Sequence, residues 1–349
     1  MPTPEMSLPE APRPRVLVTG GTGFIGSHTT VLLLAAGYDV LIVDNLSNST
    51  ADVVGAIETV AGRRPDFVCG DVRDGALLAR LFARSAIAAV FHFAGLKSVA
   101  ESLVSPLDYY ANNVGGVIVL CREMAEAGLH TLVFSSSATV YGDSDTLPLT
   151  ESSPLDPAQP YGRSKLMIET LLGDLAATDS RWRIASLRYF NPAGAHESGA
   201  LGERPRGIPN NLMPYLCQVA SGERPELIVH GNDYPTPDGT GIRDYIHVMD
   251  LAQGHLAALD YLNTHSGFVA INLGTGRGSS VLDLVHAFER VIGRTLPRRI
   301  GPRRSGDIAA CWAAVDRARE LLGWQSERGL DAICRDAWRW TSMGRRPQP

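Results

Sequence analysis

Cysteine is scarce in this 349-residue chain: the five present (Cys69, Cys121, Cys217, Cys311 and Cys334) are odd in number and form no C-x-x-C pair. That pattern supports neither a zinc ribbon nor a disulfide framework, so a reducing, cytoplasmic setting is expected. The nine histidines are scattered with no H-E-x-x-H or similar pair, and no metal is expected. Basic charge is not in excess: 32 Lys and Arg against 37 Asp and Glu give −5, which argues against a general nucleic-acid binder. No apolar run approaches the length needed to span a bilayer, and no membrane role is expected. Residues 1–14 are rich in proline and lack the apolar core of a signal peptide, so they are expected to be a disordered extension. What is present, 44% hydrophobic and 20% charged residues with no internal repeat, is a globular balance able to bury one large core or two smaller ones.

The ordered part opens with a short apolar strand, Arg15–Thr19, that runs into Gly20-Gly21-Thr22-Gly23-Phe24-Ile25-Gly26 and then a helical stretch stopping at Gly37. Glycines in such a turn let the backbone approach a pyrophosphate, which sits against free amides at the helix N-terminus. The next strand, Tyr38–Val43, ends in Asp44, eighteen residues after Gly26. An acidic residue there can hold the adenosine ribose hydroxyls, or it can simply open the turn Asp44–Asn48. No Lys or Arg follows until Arg63, so NAD is favoured over NADP.

Alternation continues with strands at 67–70, 88–95 and 131–137 and helices near 74–84 and 106–127. A further strand is expected at 184–191. Short apolar strands separated by helices predict right-handed crossovers and a Rossmann-type, doubly wound parallel sheet of the α/β class. Ligands in such sheets bind beyond the strand carboxyl ends, which here carry Asp71-Val72, Phe93–Lys97 and Ser135–Ser137. After Asn191 the chain changes to Gly/Pro-rich loop chemistry and less regular elements, among them a strand at 227–231, helices over 249–262 and 279–293, and a strand at 268–274 between them. The expected division is an NAD-binding domain over 15–190, with a returning segment near 243–265, and a mainly substrate-binding smaller α/β domain over 191–345.

The chain is organised around Tyr161-Gly162-Arg163-Ser164-Lys165, which places a phenol and an ammonium on one face of a helix started by Pro160. An unperturbed tyrosine has a pKa of about 10 and is a poor base at neutral pH. A neighbouring ammonium and a bound, positively charged nicotinamide both favour the phenolate, so Lys165 is placed to activate Tyr161. With the Ser137 hydroxyl orienting a substrate hydroxyl, such a group can remove an alcohol proton while hydride leaves the same carbon.

The spacing G20-x-x-G23-x-x-G26, Asp44, a serine twenty-four residues before Tyr161 and Tyr161-x-x-x-Lys165 resemble the extended short-chain dehydrogenase/reductase superfamily. Within it, the blocks VTGGTGFIGSHT, FHFAGLKSV, FSSSATVYGD, LRYFNPAGAH and GNDYPTPDGTGIRDYIHV resemble the UDP-glucose 4-epimerase family, and matching blocks run from Val16 to about Trp340. The resemblance implies Ser137, Tyr161 and Lys165 as the catalytic group. It implies NAD contacts at Gly20, Gly23, Phe24, Ile25 and Gly26; at Asp44, Asn45, Leu46, Ser47, Asn48 and Ser49; at Asp71 and Val72; at Phe93, Ala94, Gly95, Leu96 and Lys97; and at Asn112, Tyr161, Lys165 and Phe190. It implies that Lys97, Ser137, Tyr161, Asn191, Asn210, Asn211, Leu212, Arg243, Arg304, Asp307 and Cys311 face a UDP-sugar. The activity implied is interconversion of UDP-galactose and UDP-glucose through a transient 4-keto sugar with tightly held NAD. A homodimer through helices near 106–127 and 160–177 is also implied.

Cys311 stands where some members of the family carry a tyrosine beside carbon 2 of the sugar. A small residue there goes with tolerance of N-acetylated sugars, so UDP-N-acetylglucosamine is an expected second substrate; a plain buried core cysteine is the alternative. A 4,6-dehydratase would need an Asp-Glu pair just after Ser137, where this chain has Ala138 and Thr139. A 4-epimerase of pentose or uronic nucleotide sugars and a non-catalytic NAD-binding sensor both stay open.

Overall fold

The computed structural model describes residues 13–144, 146–205, 207, 209, 211–304 and 306–344. Most of the expected N-terminal extension, residues 1–12, lies outside them. β1 (Arg15–Thr19), β2 (Asp39–Asp44), β3 (Asp66–Cys69), β4 (Ile87–His92), β5 (Thr131–Ser137) and β6 (Arg183–Tyr189) form one sheet with the strand Gly267–Leu273. All seven strands are parallel, in the order Gly267–Leu273, β6, β5, β4, β1, β2, β3. The order reverses between β1 and β4, which opens a crevice beyond their carboxyl ends.

The central strands are apolar along their whole length because helices cover both faces of the sheet. Side chains alternate between the two cores with the strand period of two. Val16, Val18, Ile42 and Phe91 pack on one side with the helices Phe24–Ala35 and Val248–Leu262. Leu17, Leu41, Val43 and Val90 pack on the other with Leu120, Ile168 and Trp182. A third apolar cluster joins the helices Leu212–Ala220, Val281–Ile292 and Leu330–Met343 beyond the sheet. Ser280 caps the second of these through a capping box with Asp283.

Two elements differ from the sequence reading. The chain returns to the sheet not only near 243–265: the helix Val248–Leu262 leads into the strand Gly267–Leu273, which pairs with β6 along its full length. The helix expected near 106–127 is interrupted by a π-helical turn at Tyr110–Val114, between Pro106–Tyr109 and Gly115–Glu126. Such turns widen a helix by one residue and recur at functional sites.

Burial forces three histidines to stay neutral. His28 and His92 are pushed down to about 3 and His255 to about 4, in each case mainly by desolvation. Each ring makes a short internal hydrogen bond, to the Phe24 carbonyl, the Thr19 hydroxyl and the Leu251 carbonyl respectively. The unfolded chain, with histidines near about 6.5, takes up protons that the folded chain refuses, so stability rises with pH in that window. It is fully present above about pH 6.5 and is lost as the pH falls toward about 4, at about 1.4 kcal/mol per pH unit for each ring. Thermal unfolding should therefore occur at clearly lower temperature at about pH 5 than at about pH 7.5; equal midpoints would show the rings to be titrating in the folded state.

Candidate active site

The glycine turn after β1 is closed by direct backbone packing. Gly20 has φ +72°, and a Cβ on it would lie 2.6 Å from the Ala94 nitrogen, so this turn and the segment after β4 touch without side chains between them. A Cβ on Gly26 would collide with the Gly20 carbonyl oxygen, which keeps the helix Phe24–Ala35 tight against the turn. That helix starts at Gly23 with no side-chain cap, leaving first-turn amides available to an anionic group.

Asp44 ends β2 beside the turn. Its carboxylate accepts from the Thr22 amide at 3.1 Å, the Leu46 amide at 2.9 Å and the Ser49 hydroxyl at 3.3 Å. It thus does open the following turn, in which Leu46 adopts φ +58°, and still has acceptor capacity for a sugar hydroxyl. Asn45 reaches across to Asp71 at 3.1 Å. Arg73 grips Asp71 through Nε and Nη2 and holds that carboxyl far below its ordinary range. Counting cations along the chain after Asp44 overlooked Arg73, which arrives through space; its guanidinium is committed to Asp71.

The segment Phe93–Lys97 is fixed by Asn113, a residue the sequence reading passed over. The Asn113 amide oxygen accepts from the Leu96 amide at 2.8 Å and its nitrogen donates to the Leu96 carbonyl at 3.0 Å and to the Ser164 hydroxyl at 3.3 Å. Asn112 donates to the same oxygen at 3.0 Å. Both asparagines lie in the π-helical turn, which therefore joins the end of β4 to the helix of Tyr161. Lys97 forms an ion pair with Glu203 at 3.1 Å, and Asn211 donates to the same carboxylate oxygen at 3.1 Å.

Ser137 ends β5 and caps the short turn Ala138–Val140, accepting from the Thr139 amide at 3.2 Å. Pro160 opens the helix Pro160–Thr178, which presents Tyr161 and Lys165. The Lys165 ammonium is buried, 5.9 Å from the Tyr161 ring centroid and 4.8 Å from that of Phe134, and donates to the Ser135 carbonyl at 2.5 Å. Burial lowers Lys165 to about 8, opposed by the charge of Glu169. Burial raises the Tyr161 phenol above its ordinary value, and the hydroxyl of Ser137 only partly opposes that. The nearby Lys165 charge and any positive charge brought into the crevice both favour the phenolate.

On the facing side Phe190 is buried with Ala138 and Cys311 in one small apolar cluster. Cys311 pairs in register with Arg243, and burial pushes its thiol up to about 12. Arg243 makes an ion pair with Asp307 at 3.4 Å, and Arg304 is exposed on the same loop. The Asn191 amide donates to the Asp244 carbonyl at 2.9 Å, and Asn211 precedes the helix that begins at Leu212. Gln159, just before the helix Pro160–Thr178, donates to the Gly306 carbonyl at 3.3 Å and so joins this loop to the Tyr161 turn. Asn210 lies outside the described residues. One overlooked signal was plain in composition: the chain contains only two lysines, Lys97 and Lys165, and both stand at this crevice.

The family model for the NAD dependent epimerase/dehydratase family matches residues 16–274, from β1 through the returning strand. The chain belongs to that family. Among curated relatives it is similar to UDP-glucose 4-epimerase of Neisseria meningitidis serogroup C, 54% identical over 329 residues that cover 94% of this chain and 97% of the relative. Among solved structures, UDP-glucose 4-epimerase from Stenotrophomonas maltophila, with bound NAD and formylated UDP-arabinopyranose, superposes with a TM-score of 0.93 at 51% identity, covering 95% and 99% of the two chains. The enzyme from Bifidobacterium longum, in complex with NAD+ and UDP, gives 0.92 at 49% identity, covering 94% and 98%. The Rossmann-type α/β fold of this family member is thus the one expected from the alternation of its strands and helices. Among the described residues no helix is long and apolar enough to cross a membrane.

Proposed function

We propose that this chain interconverts UDP-galactose and UDP-glucose, with NAD held beyond the ends of β1 and β4 and Ser137, Tyr161 and Lys165 as its catalytic group. The observation that carries the reading is the convergence of a phenol, a serine hydroxyl and a buried ammonium at the end of β5, in a sheet whose β1 ends in the glycine turn. The crevice suits a dinucleotide: Gly20 and Gly26 let the turn close on neighbouring backbone where any Cβ would collide, the helix start at Gly23 carries no side-chain cap, and Asp44 keeps acceptor capacity toward a ribose. Arg73 is occupied by Asp71, which favours NAD over its 2′-phosphate form. The two structural neighbours carrying NAD support the same assignment.

Bound NAD supplies a reversible hydride acceptor at carbon 4 of the sugar. Tyr161, as phenolate, takes the 4-hydroxyl proton at its own oxygen and later returns it from there. Ser137 orients that hydroxyl, and Lys165 holds positive charge near the phenol. The sugar is a 4-ketose between the two proton transfers and must present its opposite face before the second. Arg243 and Arg304 suit the diphosphate, and Asn191, Asn210 and Asn211 the sugar and phosphate oxygens. Cys311, beside Phe190 and Ala138, leaves a small wall where a phenol would be large, so N-acetylated hexoses are included among the substrates. A pentose is a second reading, favoured by the arabinopyranose derivative in the Stenotrophomonas structure. The exposed Leu103, Val104, Leu107, Ile118 and Met167 lie on Val99–Val104 and the helices after it and on the Tyr161 helix; Val104 is 82% and Leu107 79% exposed. We assign this patch to a homodimer of the chain.

Purified protein given UDP-galactose and no added cofactor should form UDP-glucose, and Tyr161→Phe should lower kcat by about 100-fold or more. No conversion even with NAD supplied would sink the hexose reading and send the same chromatographic assay to UDP-pentoses. UDP-N-acetylgalactosamine should be turned over by the native chain, and Cys311→Tyr should lose that activity while keeping UDP-galactose; a native chain inert toward it removes the wider specificity. In analytical ultracentrifugation the native chain should sediment as a dimer and Val104→Glu with Leu107→Glu as a monomer, whereas a monomeric native chain would dismiss the patch as an interface.

A further inference from the structure

Behind the catalytic residues lies a buried ion pair that the proposed chemistry does not use. Glu169 and Arg188 are each only 4% exposed in their side chains and meet at 2.6 Å. The Glu169 Oε1 accepts from the Ser136 hydroxyl at 2.5 Å, the Ser186 hydroxyl at 3.0 Å and Arg188 Nε at 3.1 Å. Arg188 Nη1 continues to the Tyr141 hydroxyl at 2.9 Å, and Tyr141 donates to Asn272 Oδ1 at 2.6 Å on the returning strand. Every strong donor and acceptor of the pair is thus satisfied. Even so, two charges taken out of water contribute little that an apolar pair of similar volume would not, so stability alone does not account for them.

Their position does. Glu169 lies one helical turn beyond Lys165, while Ser136 sits between Ser135, whose carbonyl accepts the Lys165 proton, and Ser137. One carboxylate therefore holds the strand end and the helix that carry the two halves of the catalytic group. Arg188, through Tyr141, reaches the turn on the other side of Ser137. The ammonium of Lys165 is faced by the neutral His92 from β4 and by the Ser135 carbonyl and Phe134 ring from β5. Gly95 approaches it from the segment after β4, and Tyr161 and Glu169 face it from its own helix. Among these groups Glu169 is the anion. We propose that Glu169, held by Arg188, is a positioning residue for catalysis that locks Ser137 against the Tyr161 helix and supplies the counter-charge of the Lys165 ammonium.

This inference rests on the epimerase reading, but its test does not depend on turnover. With only two lysines in the chain, 13C-labelled lysine side chains give a two-signal NMR titration, and Lys97→Arg identifies Lys165. In the full chain with NAD added, Glu169→Gln should move the Lys165 midpoint down by about one pH unit and leave Lys97 in place. The double variant Glu169→Gln with Arg188→Met, which leaves no orphan cation, should move it down by a smaller amount, because a cation is lost together with the anion. In both, kcat with UDP-galactose should fall by about tenfold or more while KM stays within about twofold, and the alkaline limb of the kcat profile should move down with Lys165. A folded variant whose Lys165 midpoint stays at the native value overturns the proposal, and so does failure of both variants to fold, which would make the pair structural. A native chain that holds NAD and epimerises no UDP-sugar instead sinks the functional reading, leaving the titration to decide on Glu169.

Discussion

Contact between the Gly20 turn and the Phe93–Ala94 backbone is the constraint on which the site depends. Two strand ends carrying any side chain at that point would be pushed apart, because the gap is smaller than a methyl group. With the gap closed, the helix after β1 aims its uncapped first turn into the crevice, and the segment after β4 is drawn beside it. Asn113 then completes the arrangement by bonding both backbone groups of Leu96 from the π-helical turn. A steric demand at one glycine is thereby passed, through hydrogen bonds, to the helix that bears Tyr161 and Lys165.

Electrostatics in the crevice follows from the same burial. Removing water raises Tyr161, lowers Lys165 to about 8 and keeps His92 uncharged. The anions around Tyr161 and the glycine turn are each held by partners: Asp44 by two amides and a hydroxyl, with acceptor capacity left over, Asp71 by Arg73, and Glu169 by Arg188 and two serines. None stands unpaired against the phenol.

The second half of the chain has a less repetitive logic. Its short strands Asn191–Ala193 and Tyr245–His247 pair beside the sheet, and Ile242–Arg243 pairs with Ala310–Cys311. These pairings bring residues separated by many positions, such as Arg243, Asp307 and Cys311, to one wall. The small apolar cluster of Ala138, Phe190 and Cys311 joins that wall to the end of β5 in one packed seam.

How much of this was legible in the residues depends on the range of the interaction. The glycine turn, the acidic end of β2, the alternation of strands with helices and the Tyr161–Lys165 spacing are local patterns, set by backbone sterics and by the periods of strand and helix. They determined the parallel sheet, the crevice and the pairing of a phenol with an ammonium. The approach of Arg73 to Asp71, the bracing of Leu96 by Asn113 and the burial of Glu169 against Arg188 join side chains from separate elements, and no spacing rule reports them. The protonation of Tyr161 belongs to this second class. Residue identity placed a lysine beside it, but only tertiary packing decided that the ammonium would donate to the Ser135 carbonyl and that burial would raise the phenol, because desolvation is a property of the assembled interior.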